Sequence, residues 1–133
     1  QLIFQHPEKS VNPKWKMKKI INESFTPSKE LIEAMGIKEG WMNRWPSELS
    51  GGELQRFCVI RALSPKTKFL IADEMTTMLD AITQAQIWNV VLDYARKNDI
   101  GVVVISHEKA LVEKICDRVV NLEEFKEEQK EVV

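Results

Sequence analysis

The chain has 133 residues, 44% hydrophobic and 29% charged, with a formal net charge of -1. That suffices for one domain with its own core, and it excludes a chain drawn to nucleic acid or an anionic membrane by its overall field. The longest apolar runs, such as Val102–Ile105, fall far short of the roughly 18 residues a membrane span needs. Cys58 and Cys116 stand far apart in no CxxC pattern, which argues for a reducing compartment and against a disulfide scaffold or a zinc site.

In chain order, Gln1-Leu2-Ile3-Phe4 reads as the end of a strand, broken by Gln5-His6-Pro7. No Met precedes this apolar start, so position 1 is expected to be a truncation point or a limit of order. Residues 8–22 hold Lys9, Lys14, Lys16, Lys18 and Lys19 with Trp15 and Met17 interleaved. Thr26-Pro27 predicts a helix start, Leu31, Ile32 and Met35 its apolar face, and Gly36 its stop. A loop through Gly40, Asn43 and Pro46 leads to Ser50, which opens a helix to about Leu63.

The pattern then changes. Phe69-Leu70-Ile71-Ala72 predicts a strand buried on both faces and ending at Asp73-Glu74. Residues 81–97 place Ile87, Trp88, Val91, Leu92 and Ala95 on one helical stripe. Val102–Ile105 predicts a second buried strand ending at Ser106-His107, Glu108–Ile115 a helix, and Arg118–Leu122 a third strand. The residues beyond are mostly Glu, Lys and Gln and are expected to form a solvated helix or tail. Alternating strands and helices at this spacing imply an α/β fold with a parallel sheet. The first half reads as a helical insertion.

Three groups of residues carry chemistry. Leu49-Ser50-Gly51-Gly52-Glu53 puts two glycines at a helix start, where exposed N–H groups and the helix dipole favour a phosphate. Ser50 and Glu53 also suit a plain capping box, although two glycines each cost about 1 kcal/mol of helix propensity and a cap needs neither. Asp73-Glu74 lies at the C-terminal tip of a parallel strand, where open α/β sheets bind ligands. Asp73 suits a magnesium ion and Glu74 a water to be oriented or deprotonated; the lesser alternative is that both are solvated loop residues. His107 ends the next strand, and a lone histidine is also a common structural hydrogen-bonder.

Taken in order, Gln5, Leu49–Glu53, Asp73-Glu74, Leu79-Asp80 and His107 strongly resemble the Q-loop, signature, Walker B, D-loop and switch histidine of the ABC ATPase superfamily. Glu53 stands where Gln is more frequent. A narrower resemblance, to the ATPase subunits of dipeptide, oligopeptide and nickel importers, rests on Ser10-Val11-Asn12-Pro13, Trp45–Leu49, Ala72–Thr77 and Gln84–Ile87. Met75 departs from the Pro usual in that family.

The resemblance implies a partial P-loop NTPase (RecA-like) parallel sheet with the ABC helical subdomain inserted before the signature. It divides the chain into 1–7 (strand end and Q-loop), 8–63 (helical subdomain), 64–122 (core) and 123–133 (charged tail). It implies ATP and Mg2+ as ligands and a peripheral place on the cytoplasmic face of the cell membrane. The implied partners are a second ATPase subunit in a head-to-tail dimer, transmembrane permease subunits and, indirectly, a solute-binding protein; the basic stretch around 9–19 would meet the membrane partner. Ser50, Gly51, Gly52 and Glu53 would contact nucleotide held by the other subunit, and Asp80 would cross the dimer interface. Asp73 and Gln5 would serve magnesium, Glu74 would be the general base, and His107 would bridge γ-phosphate and water.

The five glycines form no GxxxxGK[ST] phosphate loop, so the chain alone is expected to be inactive. The family fold places a further strand between Val102–Ile105 and Arg118–Leu122. Without it, their free edges are expected to favour self-association. The alternative reading is a soluble ABC ATPase of DNA repair or chromosome maintenance. The short gap between Gln5 and the signature, with no heptads or cysteine pairs, speaks against it.

Overall fold

Phe69–Asp73 pairs in parallel with a strand on either side, and this ladder organises the computed structural model, which describes residues 1–122. β1 (Leu2–Ile3) flanks β2 (Phe69–Asp73) on one side and β3 (Gly101–Ile105) on the other, in the order β1-β2-β3. Parallel neighbours need long crossovers, and helices supply them. Between β1 and β2 lie α1 (Met17–Ile21), α2 (Lys29–Ala34) and α3 (Gly51–Ala62) with three short 3-10 turns. α4 (Ala81–Lys97) joins β2 to β3, and α5 (Lys109–Ile115) follows. The result is the expected partial α/β fold with a parallel sheet.

The core surrounds α3. Phe57, Val59, Ile60 and Leu63 are fully buried, as are Met17 and Ile20 of α1. α3 packs on α1, on the turn at Pro7–Lys9, on α4 and on β1, so its buried residues, Leu54, Gln55, Phe57–Ile60 and Ala62, are not confined to one stripe. Its arginines reach outward to fix the loops. Arg56 Nη1 donates to the Met35 carbonyl and to Gln86 Oε1 (2.9 Å), and Arg61 donates to the Ser10 carbonyl (2.6 Å) and Glu23 (2.9 Å).

Three expectations need correction. α2 is capped by Ser28, whose Oγ accepts from Leu31 N at 3.2 Å, so the helix starts after Pro27 and not at Thr26. The strands are not buried on both faces. Leu70 and Ala72 are buried, but Phe69 is 68% exposed and Ile71 38%, and no residue of β3 is fully buried. The open face carries Leu2, Ile71 and Val103 in one register row, with Phe4, Phe69 and Ile105 beside them. A Cβ at Gly101 would stand 2.8 Å from the Phe69 ring, which would have to shift.

Arg118–Leu122 is not a strand. β3 is the last strand of the sheet, and the segment joins no ladder among the described residues. The expected tail at 123–133 lies outside the described residues.

Candidate active site

β2 and β3 end side by side, with Asp73 in register with Ile105. Glu74 N donates to the Ile105 carbonyl at 2.9 Å, extending the ladder one step, and the backbone then turns left-handed at Glu74, with φ 46°. A non-glycine residue there costs about 1–3 kcal/mol and persists only where its surroundings hold it. Here the ladder bond precedes it and the buried Met75 follows it. Glu74 Oε1 lies 2.9 Å from His107 Nδ1. His107 sits on a turn in which Ser106 Oγ accepts from Glu108 N at 3.1 Å. The hydrogen bond to Glu74 and then that carboxylate's charge hold the imidazole pKa above its ordinary 6.5. Asp73, Glu74 and His107 therefore occupy adjacent strand tips.

A second layer of hydrogen bonds ties these tips together. Buried Thr76 Oγ1 accepts from Trp88 Nε1 (3.0 Å) and Gln84 Nε2 (3.1 Å), and the same Gln84 amide donates to Glu108 at 3.2 Å. The turn after Glu74 is thereby joined to the turn after His107 through α4. Trp88 and Gln84 fell on the predicted helix, but nothing in their spacing marked them as a bridge.

The helix start at Ser50 is a complete capping box. Ser50 Oγ accepts from Glu53 N (3.3 Å), and Glu53 Oε2 accepts from Ser50 N (2.8 Å). Both side chains thus serve the cap. The glycines do not serve this chain's packing: a Cβ at Gly51 would meet nothing within 4 Å, and one at Gly52 would make ordinary contact with Leu79 at 3.4 Å. Of the chain's glycines only Gly36 has positive φ. Asp80 is the N-cap of α4, accepting from Thr83 N (2.9 Å) and Ile82 N (3.1 Å); the Thr83 backbone N–H first, then the Thr83 side chain, lower its pKa.

Gln5 lines a cavity of about 170 Å³ with Gly51, Gln55, Met75 and Leu79, which brings the predicted Q-loop residue and the signature helix to one place. Gln55 went unnoticed in the sequence because a glutamine inside an apolar helix carries no motif. It is 1% exposed, and its amide donates to the carbonyls of Phe4 (3.0 Å) and Met75 (2.7 Å). Of the basic stretch, Lys19 lies 3.9 Å over the Trp15 ring and Lys16 5.6 Å over Trp45. Among the described residues no cluster of three or more His, Cys, Asp or Glu could hold a metal. No helix there is long and apolar enough to cross a membrane.

A profile of the family described as ABC transporter matches residues 1–77, more than half of the chain. The chain belongs to the ABC transporter family. It is 33% identical over 132 residues to the dipeptide transport ATP-binding protein DppF of Lactococcus lactis subsp. cremoris (strain MG1363), covering 90% of this chain and 42% of that protein. It is 39% identical over 132 residues to the oligopeptide transport ATP-binding protein OppD of Bacillus subtilis (strain 168), covering 89% of this chain and 37% of that one. The chain thus spans about two fifths of these curated relatives. Among solved structures, the dimeric post-hydrolysis state of the ATP-binding cassette MJ0796 bound to ADP and Pi superposes with a TM-score of 0.67 at 21% identity, covering 84% of this chain and 54% of that one. An ATP-binding subunit of an ABC transporter superposes with a TM-score of 0.71 at 17% identity, covering 88% and 52%. At these identities the likeness concerns the fold. The ABC ATPase fold is the same one the motif order suggested.

Proposed function

We propose that this chain is part of the ATP-binding and hydrolysing subunit of an ABC importer that takes up peptides or nickel, with peptides favoured by the names of its relatives. The observation that carries the reading is the 2.9 Å contact of Glu74 and His107 at neighbouring strand tips beside Asp73. Glu74 accepts the proton of a water whose oxygen attacks the γ-phosphorus, and the bond from that phosphorus to the bridging oxygen breaks, leaving ADP and phosphate. With Nδ1 on Glu74, His107 Nε2 is the ring nitrogen that meets the phosphoryl group.

Asp73 and Gln5 offer the oxygen donors that magnesium prefers and would be the residues of this chain that hold the ion. Bound there, magnesium would neutralise phosphate charge. Ser50, Gly51, Gly52 and Glu53 form the helix start that faces nucleotide on a second ATPase subunit; the space in front of Gly51 supports a close backbone approach. Asp80 lies at the interface with that subunit. The lysine and tryptophan surface at 9–19 faces permease subunits, with a solute-binding protein acting through them, at the cytoplasmic face of the membrane. Residues 8–63 are its helical subdomain and 64–122 its core.

This 133-residue sequence has no GxxxxGK[ST] pattern, so by itself it neither binds ATP tightly nor turns it over. The test uses the full-length ATPase that contains it. Glu74→Gln is expected to abolish steady-state ATP turnover while leaving ATP bound in a stable dimer, and His107→Ala to lower turnover by about 10²-fold or more, the scale of a lost acid–base or positioning group. Wild-type turnover in Glu74→Gln would show that another group is the base.

A further inference from the structure

Gln55 sits one helical turn after Gly51 on α3, the helix whose start carries Ser50 and the glycine pair. Its side-chain amide has two N–H donors, and both carbonyls that it reaches adjoin residues of the proposed site. Phe4, whose carbonyl accepts at 3.0 Å, precedes Gln5, and Met75, whose carbonyl accepts at 2.7 Å, follows Glu74. The side chain is 1% exposed, so water does not compete for these bonds. One amide thus spans the end of β1, the left-handed turn at Glu74 and the signature helix.

Packing alone does not account for a glutamine here. Its Oε1 is buried and has no hydrogen-bond partner, which costs about 1–3 kcal/mol of desolvation that an apolar side chain of similar volume would avoid. The retained benefit is the pair of bonds from Nε2. Glu74 needs such support, since its φ of 46° is one a non-glycine residue seldom adopts. Nor is the contact local: Gln55 lies 51 residues from Phe4 and 20 from Met75.

We propose that Gln55 is a positioning residue for ATP hydrolysis, holding the turn that carries Glu74 and the strand end that carries Gln5 in register with the helix that presents Ser50-Gly51-Gly52. This rests on the reading of Glu74 as general base. Gln55 acts through the two carbonyls and not on the reacting atoms. In the head-to-tail arrangement it would link the nucleotide site this chain serves with its carboxylate to the one it serves with its signature amides.

The test again uses the full-length ATPase. Gln55→Met keeps the volume, removes both donors and removes the orphaned oxygen. Its expected effect is a fall in kcat of at least about tenfold, with KM for ATP within about threefold and the unfolding midpoint little changed. Gln55→Glu, neutral when buried, keeps one donor and is expected to fall between Gln55→Met and wild type; it is read in the same way should Gln55→Met yield too little folded protein.

A purely structural role would leave kcat per folded molecule intact. A second readout is single-turnover hydrolysis in a Glu74→Gln background. If Gln55 acts through Glu74, Gln55→Met costs little further there, whereas independent effects would multiply. Unchanged kcat in the folded Gln55 variant, or the same fold-loss in both backgrounds, overturns the proposal. If Glu74→Gln retains turnover, the functional reading fails and the role of Gln55 with it. If Glu74→Gln is inactive and Gln55→Met is not, only the role of Gln55 fails.

Discussion

The two ends of this molecule use apolar residues in opposite ways. Around α1 and α3, Met17, Ile20, Phe57, Val59 and Ile60 have no measurable exposure. At the β3–α5 end no side chain is fully buried, although Val102–Ile105 is as apolar as any part of α3. The difference lies in what each element needs for cover. A helix such as α3 can be enclosed by α1, a turn and β1, all reached within one connected stretch of chain. A strand presents two faces, and only the face with Ile3, Leu70 and Ala72 is covered among the described residues. Apolar sequence therefore encodes a demand for burial, and topology decides whether the demand is met.

The sharpest way to break this comparison is to cut one large side chain at each end. Phe57→Ala, in the packed region, is expected to destabilise the fold by about 3–5 kcal/mol, the cost of a buried cavity. Phe69→Ser, on the open face, is expected to stay within about 0.5 kcal/mol. Urea unfolding of the two variants measures both. Equal losses would mean that Phe69 is covered in solution and that the two ends do not differ.

A smaller effect separates the helix starts within the packed half. Ser50→Ala removes the acceptor for Glu53 N from a cap whose return bond, Ser50 N to Glu53 Oε2, is 2.8 Å. A loss of about 1 kcal/mol is expected. Ser28→Ala should cost a similar amount, because its Oγ alone caps α2 at 3.2 Å. If neither change moves the urea midpoint, packing on α3 and not capping sets where these helices begin.

What could be read from residues alone follows the same division. α3, α4 and β2 were legible to within a residue or two: Ser50 marks the start of α3, the apolar stripe over 81–97 marks α4, and the Phe69–Ala72 run marks β2. The adjacency of Asp73, Glu74 and His107 was legible as well, since consecutive parallel strands place their tips together. Arg118–Leu122 was not, because a strand exists only through its ladder and the pattern cannot say whether a neighbour is present. The exposure of Phe69 and Ile71 was missed for the same reason. Gln55, Gln84 and Thr76 were invisible as a framework, because hydrogen bonds across 8 to 51 residues leave no spacing signal. The Thr26 start was misplaced because Pro27 fits just before the cap as well as just after it, and only the Ser28 bond decides.

The least effect is expected at the exposed end, in the Glu74–His107 pair itself. The His107 side chain is 67% exposed, so solvent screens the pair and its share of stability is small. Its sign is nonetheless fixed. The imidazole pKa is raised above 6.5 in the folded chain by the hydrogen bond and charge of Glu74, so the folded state binds the proton more tightly than the unfolded one. The resulting stability is fully present below about pH 6.5 and is lost as pH rises through the folded value. Glu74→Gln removes the charge, so His107 should titrate closer to 6.5 by NMR, and the urea midpoints of wild type and variant should converge as pH rises. A wild-type His107 that titrates as the variant does would mean that the 2.9 Å contact does not persist in solution.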